Sequence, residues 1–220
     1  MNKRFIMYRR AIFTLFLLFA CATTLSAQTR LSLRFSPLLT TNRVDFSTDT
    51  LTATNDGALP KLSLGLIADI DLTETYSFST GLVYMPKGLG ISTTGRNGGT
   101  YNTVEEYRLQ YLQVPLTFKL YTNEVQPDFK LYFQIGGAME VLLHDEPVDD
   151  SAELVTDFNL FDASVVLGAG TEYKLGASTI LYGGITYYRG LLNVINETIA
   201  LADDLEARNT VVGLDLGIKF

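Results

Sequence analysis

Residues 111 to 121 read Tyr-Leu-Gln-Val-Pro-Leu-Thr-Phe-Lys-Leu-Tyr, with an apolar side chain at every second position. Successive side chains of a β-strand point to opposite faces, so this spacing predicts a strand with one apolar and one largely polar face. The apolar face carries Leu112, Val114, Leu116, Phe118 and Leu120. Pro115 removes one backbone donor from the ladder, and we therefore expect a bulge or a bend at that position.

The same alternation recurs on both sides of this stretch. It is clear from Phe129 to Val141 and from Val212 to Phe220. Weaker segments cover residues 30–38, 61–72, 75–86, 159–175 and 178–190, which brings the number of predicted strands to eight. In the segment 178–190 either of two sets could form the apolar face, namely Leu181, Ile185 and Tyr187 or Ile180, Tyr182 and Tyr188.

The connections between the predicted strands alternate in length. The short ones are residues 73–74, 122–127 and 176–177, and the long ones are residues 39–60, 87–105, 144–158 and 191–208. Bacterial outer-membrane barrels combine short periplasmic turns with long extracellular loops, and a strand of about 9 to 11 residues crosses the hydrocarbon. An open sheet edge in lipid would leave backbone groups unpaired, so the sheet must close. We expect an all-β fold, an eight-stranded antiparallel up-and-down transmembrane β-barrel with short periplasmic turns and long extracellular loops.

The first residues have the order of a secretory signal peptide. Four cations, Lys3, Arg4, Arg9 and Arg10, precede an apolar run at 11–22 and small residues that end at Ala27. We expect residues 1–27 to be a cleaved signal peptide and residues 28–220 to form the barrel domain in the outer membrane. Cys21 leaves a second interpretation open, because residues 18–21 approximate the site at which bacterial lipoproteins are acylated.

The charge of the chain limits its partners. The net charge of -7 becomes -11 when the four cations of the signal peptide are removed. A surface this acidic argues against nucleic acid as a partner. We expect a monomer whose partners are outer-membrane lipid and, during assembly, the barrel-insertion machinery. Phe220, with apolar residues at 214, 216 and 218 before it, is a candidate assembly signal for that machinery.

Four segments resemble the PorT-type family of outer-membrane β-barrel domains. They are Tyr111-Leu112-Gln113-Val114-Pro115-Leu116, Phe133-Gln134-Ile135-Gly136-Gly137-Ala138, Leu167-Gly168-Ala169-Gly170-Thr171-Glu172-Tyr173 and Tyr187-Tyr188-Arg189-Gly190-Leu191-Leu192-Asn193. The resemblance runs from about residue 30 to residue 220. It implies an eight-stranded barrel in which Pro115 is a family feature, and it implies no catalytic residue.

Charged residues on the polar faces are the main candidate site. We expect an interior charge network of Lys119, Lys130, Glu140, Asp162, Glu172, Asp215 and Lys219, joined by Asp69, Asp71 and Arg108. An eight-stranded barrel has room for little besides its own side chains, and buried charges need partners. The sequence therefore favours mutual salt bridges in the lumen over an open pore.

The sequence offers no constellation for catalysis, a cofactor or a metal. His144 is the only histidine, and the spacing of the acidic residues that follow it does not fit an EF-hand calcium loop. We expect a non-catalytic integral outer-membrane protein that acts through its extracellular loops or as a structural or adhesive component of the envelope. Two alternatives stay open: a narrow porin-like channel or accessory component of a secretion system, and a soluble lipocalin-like binding barrel.

Overall fold

The structure, a computed structural model, describes residues 29–47, 51–95, 102–149, 154–176, 178–198 and 205–220. The predicted signal peptide and Cys21 lie outside these residues. No helix of the described residues is long and apolar enough to cross a membrane. The strands are β1 (Thr29–Ser47), β2 (Leu51–Asn55), β3 (Leu59–Asp71), β4 (Tyr76–Gly95), β5 (Asn102–Tyr121), β6 (Phe129–Pro147), β7 (Val155–Phe158), β8 (Phe161–Lys174), β9 (Ile180–Gly190), β10 (Ile195–Thr198) and β11 (Glu206–Lys219).

Eight long strands close into a ring. Strands β1, β3, β4, β5, β6, β8, β9 and β11 each pair antiparallel with the next. The last strand returns to the first, from the pair Ser32 and Lys219 to the pair Asp45 and Glu206. The predicted all-β, eight-stranded antiparallel barrel is confirmed.

A belt of apolar side chains covers the outside of the ring. Leu66 on β3 is 60% exposed and Ile185 on β9 is 61% exposed, and every barrel strand contributes at least one large apolar residue of this kind. On β9 the apolar face is the set with Leu181 and Ile185, whereas Tyr182 and Tyr188 point into the lumen. A water-soluble lipocalin would hold its apolar side chains inside, so the soluble alternative is wrong.

All four long connections contain paired strand where loop was predicted. Strands β1, β4, β5 and β6 run well past the belt into the regions 39–60, 87–105 and 144–158. There β2 fills the wall between β1 and β4, and β7 pairs with β10 in a small separate sheet. The short turns lie at the opposite end of the barrel, so we call that the short-turn end and the extended one the long-loop end.

Pro115 does not shift the register, so the bulge is wrong, whereas the bend, the other outcome predicted there, stays a prediction. The pairing of β5 with β6 runs without a break through Pro115 and Ala138. Toward β4 the ladder lacks two successive pairs but continues in the same register on either side. A missing N–H therefore interrupts the ladder locally, and the one register shift between β5 and β6 lies between Gln110 and Tyr111 instead.

Candidate functional site

The lumen near the short-turn end holds a compact network of ion pairs. The ammonium of Lys219 lies 2.6 Å from an oxygen of Asp69 and 2.5 Å from an oxygen of Glu172. Lys119 reaches the other oxygen of Asp69 at 2.9 Å. The hydroxyl of Tyr121 donates to Glu172 at 3.0 Å. Two cations and two carboxylates from four strands thus neutralise each other in a buried space.

A second cluster lies beside it, around Asp215. Ser36 and Thr186 each donate a hydrogen bond of 2.6 Å to this carboxylate, one to each oxygen. The guanidinium of Arg34 lies 3.8 Å away and is almost completely buried. Asp215 is therefore held chiefly by the two hydroxyls, with the Arg34 charge nearby as compensation.

A third cluster lies nearer the long-loop end and is centred on Lys87. Its ammonium is buried between the carboxylates of Glu140 and Asp162 and lies 3.2 Å from the latter. Gln113 donates to Glu140 at 2.7 Å, and Asn209 donates to Asp162 at 3.1 Å. Because charged groups away from water need partners, these amides complete a site that one cation could not satisfy alone.

The structure brings most of the predicted network residues together in the lumen. Those that lie buried there are Lys119, Glu140, Asp162, Glu172, Asp215 and Lys219. Lys130 instead lies half-buried at the mouth of the short-turn end, where its neighbour across the sheet is Glu172. Asp71 lies near the same mouth and pairs with Arg30 at 2.6 Å.

Arg108 was wrongly assigned to the interior. Its side chain is 53% exposed on the outer face and pairs with the exposed Glu146 at 3.3 Å. Arg108 has the same parity along β5 as Leu112, so the alternation itself places it outside. The same rule finds two interior cations that sequence reasoning missed. Lys87 lies an even number of residues from the inward-facing Val83, and Arg34 lies between outward-facing residues of β1, so both side chains point inward.

Very little free space remains between the clusters. A cavity of about 10 Å³, lined by Arg34, Lys119 and Tyr132 among others, lies in the middle of the lumen. A cavity of that size holds about one water molecule. The mouth at the short-turn end is roomier, with a cavity of about 350 Å³ bordered by Arg30, Lys130 and polar neighbours.

Above the Lys87 cluster the lumen is closed by an apolar core. We define the lid as β7, β10 and residue 154. The lid contributes Leu154, Val155, Phe158 and Ile195 to this core, and the walls contribute Val83, Met85, Leu89, Ile91, Tyr107, Leu109 and Tyr111. The rings of Tyr107 and Phe158 meet edge to face with their centroids 5.4 Å apart. The lid is thus packed into the barrel mouth and excludes water from it.

A polar clasp fastens the lid to the wall. The hydroxyl of Tyr107 donates to Glu105 at 2.5 Å and accepts the backbone N–H of Val155 at 3.0 Å. Glu105 also accepts the N–H of Leu154 at 3.0 Å. Burial, together with the hydrogen bond to Glu105, raises the pKa of the Tyr107 phenol above its ordinary value. The phenol therefore stays protonated and remains a donor in the clasp.

The remaining candidates lie on the surface. His144 is exposed at the long-loop end, 3.6 Å from an oxygen of Glu146. Within the described ranges no group of three or more histidine, cysteine, aspartate and glutamate side chains is arranged to hold a metal ion. Phe220 lies on the outer face at the seam, where its backbone exchanges hydrogen bonds of 2.9 and 3.2 Å with Leu31. Its role in assembly stays a prediction.

Comparisons with known proteins agree with this architecture. The family profile described as outer membrane protein beta-barrel domain matches residues 26–196. The outer membrane protein OprG from Pseudomonas aeruginosa has 15% sequence identity to this chain and a TM-score of 0.57, over 88% of this chain and 97% of OprG. Neisserial surface protein A is 8% identical, with a TM-score of 0.49 over 87% of this chain and 95% of its own. No curated protein sequence matches. The likeness to OprG shows a common fold.

Proposed function

Because the chain belongs to the family of outer membrane protein beta-barrel domains, we propose that it is a non-catalytic and non-conducting outer-membrane protein that acts through its long-loop end. The observation that carries this proposal is the filled lumen. Three charge clusters fill the lumen, an apolar core lies beyond them toward the long-loop end, and the mid-lumen cavity measures only about 10 Å³. Hydrated ions need a continuous opening, and the close packing of the described lumen residues argues against one.

The shape of the long-loop end supports a role in contact with other molecules. Strands β4, β5 and β6 continue beyond the belt as one paired wall with its own core, which makes a rigid platform. Its outer surface carries large exposed apolar side chains, including Val104 at 54% and Leu143 at 58%. Exposed apolar residues on a rigid support are typical of protein contact sites. An adhesive or partner-binding role fits this surface.

Conductance of the purified full-length chain in planar bilayers tests the closed lumen. We expect no steady single-channel current, whereas an established porin reconstituted under the same conditions provides the positive control. A reproducible steady conductance would overturn the non-conducting assignment.

Adhesion of cells that display the barrel tests the platform. The Leu143→Asp substitution should reduce cell aggregation and surface attachment, because it places a charge on the apolar outer face. Val125→Asp is the matched control, since Val125 is equally exposed but lies at the short-turn end. Equal surface amounts of the variants must be verified by heat-modifiable migration. Unchanged adhesion by the Leu143 variant would contradict the role of this surface.

The alternatives differ in their support. A narrow porin-like channel is disfavoured by the packed lumen of the described residues. An accessory role in secretion rests on the resemblance to PorT-type barrels alone, and no contact among the described residues favours it.

A further inference from the structure

Three arginines lie together on the outer face of the barrel, just beyond the apolar belt. Arg43 on β1 and Arg208 on β11 are direct cross-strand neighbours. Arg189 on β9 pairs with Thr210, two residues along β11 from Arg208. Like charges directly opposite each other in a sheet are destabilising, so this arrangement requires an explanation.

The guanidinium groups keep free donors. Arg43 reaches across β11 and donates to the carbonyl of Gly190 at 2.5 Å, which brings it toward Arg189. Arg208 donates to Glu206 at 2.8 Å. The Nε atoms of Arg43 and Arg208 are nevertheless buried and have no hydrogen-bond partner among the described residues. Each guanidinium has five N–H donors, so its outer nitrogens remain to bind an acceptor from outside the barrel.

The local charge is positive. One step farther from the belt, Asp45 and Glu206 are also cross-strand neighbours, and they are the carboxylates nearest in register. Among the described residues, three guanidinium groups against two carboxylates leave one positive charge. The rest of the chain is acidic, which makes this a distinct basic spot on its surface.

An apolar groove lies directly below the arginines on the same strands. Its volume is about 390 Å³, and its lining includes Pro37, Leu39, Ile185, Val212 and Leu214. Pro37 leaves a two-residue gap in the pairing of β1 with β11, and Gly213 adds no side chain there. Leu39 and Val212 are each four residues from the arginine on their strand, or about 13 Å at the usual rise.

That distance matches one lipid molecule with a phosphate at the membrane surface and an acyl chain in the hydrocarbon. The long-loop end of such a barrel faces the outside, so the lipid belongs to the outer leaflet. We propose that Arg43, Arg189 and Arg208 bind the phosphate of a phosphorylated, acylated outer-leaflet lipid, whose acyl chain lies in the groove beside Val212. Guanidinium groups suit this task because they bind phosphate in a bidentate manner. The site depends neither on the lid nor on the platform.

Titration of the full-length chain in detergent micelles with fluorescent lipid A tests the proposal. Dephosphorylated lipid A with the same acyl chains should bind at least about tenfold more weakly, and so should the variant R43Q/R189Q/R208Q. The variant R108Q/K130Q/K174Q removes the same charge elsewhere and should bind like the wild type. Heat-modifiable migration verifies that each variant is folded.

Two further measurements test whether the site binds the acyl chain together with the phosphate, and not the phosphate alone. The substitution Val212→Trp fills the groove and should weaken binding severalfold, whereas Leu116→Trp on β5, on the opposite side of the barrel, should not. Inorganic phosphate in equimolar amounts should not displace the lipid. Equal binding of dephosphorylated lipid A, equal weakening by the control triple variant, or displacement by free phosphate would each overturn the proposal. The comparison of the two lipids needs only the wild-type chain, so a variant that fails to fold leaves the test intact.

Discussion

Replacing Lys219 with methionine should destabilise the barrel more than any other removal of a lumen cation near the short-turn end. Its ammonium is fully buried and contacts both Asp69 and Glu172. Without it, and among the described residues, Asp69 keeps Lys119 as its ionic partner and Glu172 keeps the hydroxyl of Tyr121. Removing one partner of a buried ion pair typically costs about 3 to 5 kcal/mol, because the remaining charge stays buried. We expect a loss of that size in the free energy of unfolding.

The measurement is a urea titration of the folded chain in lipid vesicles. The chain contains no tryptophan, so the folded fraction is read from heat-modifiable gel migration. Lys130→Met is the matched control. Lys130 also lies on the lumen-facing side of its strand, but it is half-buried at the mouth of the barrel. A surface charge of that kind contributes about 0 to 1 kcal/mol, so the control should unfold near the wild-type urea concentration.

A second substitution tests the cause of the loss. Glu172→Gln in the Lys219→Met background removes the uncompensated carboxylate and leaves Lys119 paired with Asp69. The double variant should therefore be more stable than the sum of the two single effects predicts, with a coupling of about 0.5 to 3 kcal/mol. A loss no larger than that of Lys130→Met, or strict additivity of the two substitutions, would refute the view that the network works as a unit.

Three other perturbations follow from the same geometry. Leu116→Arg should cost about 2 to 4 kcal/mol in urea titrations, because Leu116 lies in the lipid-facing belt, whereas the same substitution at Val104 beyond the belt should cost at most about 1 kcal/mol. Gly217→Ala should lower the refolding yield, since a Cβ would lie 2.3 Å from the ring of Tyr182, and Gly176→Ala should not, because nothing lies within 4 Å of its Cβ. Tyr107→Phe removes two of the three hydrogen bonds of the clasp and should speed proteolysis of the lid in intact vesicles, while the free energy of unfolding of the barrel changes by no more than about 1 kcal/mol. Equal proteolysis rates would contradict the clasp.

The membrane-spanning part of the fold is predictable from sequence because its two faces meet different surroundings. The outward side chains meet acyl chains and are apolar, while their neighbours meet a polar lumen. Alternation over residues 111–121 and 212–220 therefore gives both the strand and the direction of each side chain. The segment 178–190 escapes this rule because tyrosine suits either face, and the lumen uses the hydroxyls of Tyr182 and Tyr188 beside charged groups.

The extended strands were missed because the alternation changes phase at the edge of the belt. On β4 the outward residues Leu82 and Tyr84 are apolar within the belt, but farther along the inward residues Met85, Leu89 and Ile91 are apolar instead. Outside the membrane the wall meets water, so hydrophobic side chains turn inward. A single-phase pattern breaks at that point and resembles a loop. Lys87 lies at this transition, and its role in the lumen was missed for the same reason.

This change of phase means that the part of the barrel within the belt and the part beyond it are stabilised by different interactions. Within the belt there is no water for the outer face to avoid, so closure of the ladder and satisfaction of the lumen charges hold the ring together. Beyond the belt the hydrophobic effect acts as in a soluble protein, with the lid and the inner walls as its core. A surface that rests on its own core tolerates substitution without loss of the membrane part. The long-loop end is therefore the part of this barrel that can change its contacts while the ring remains the same.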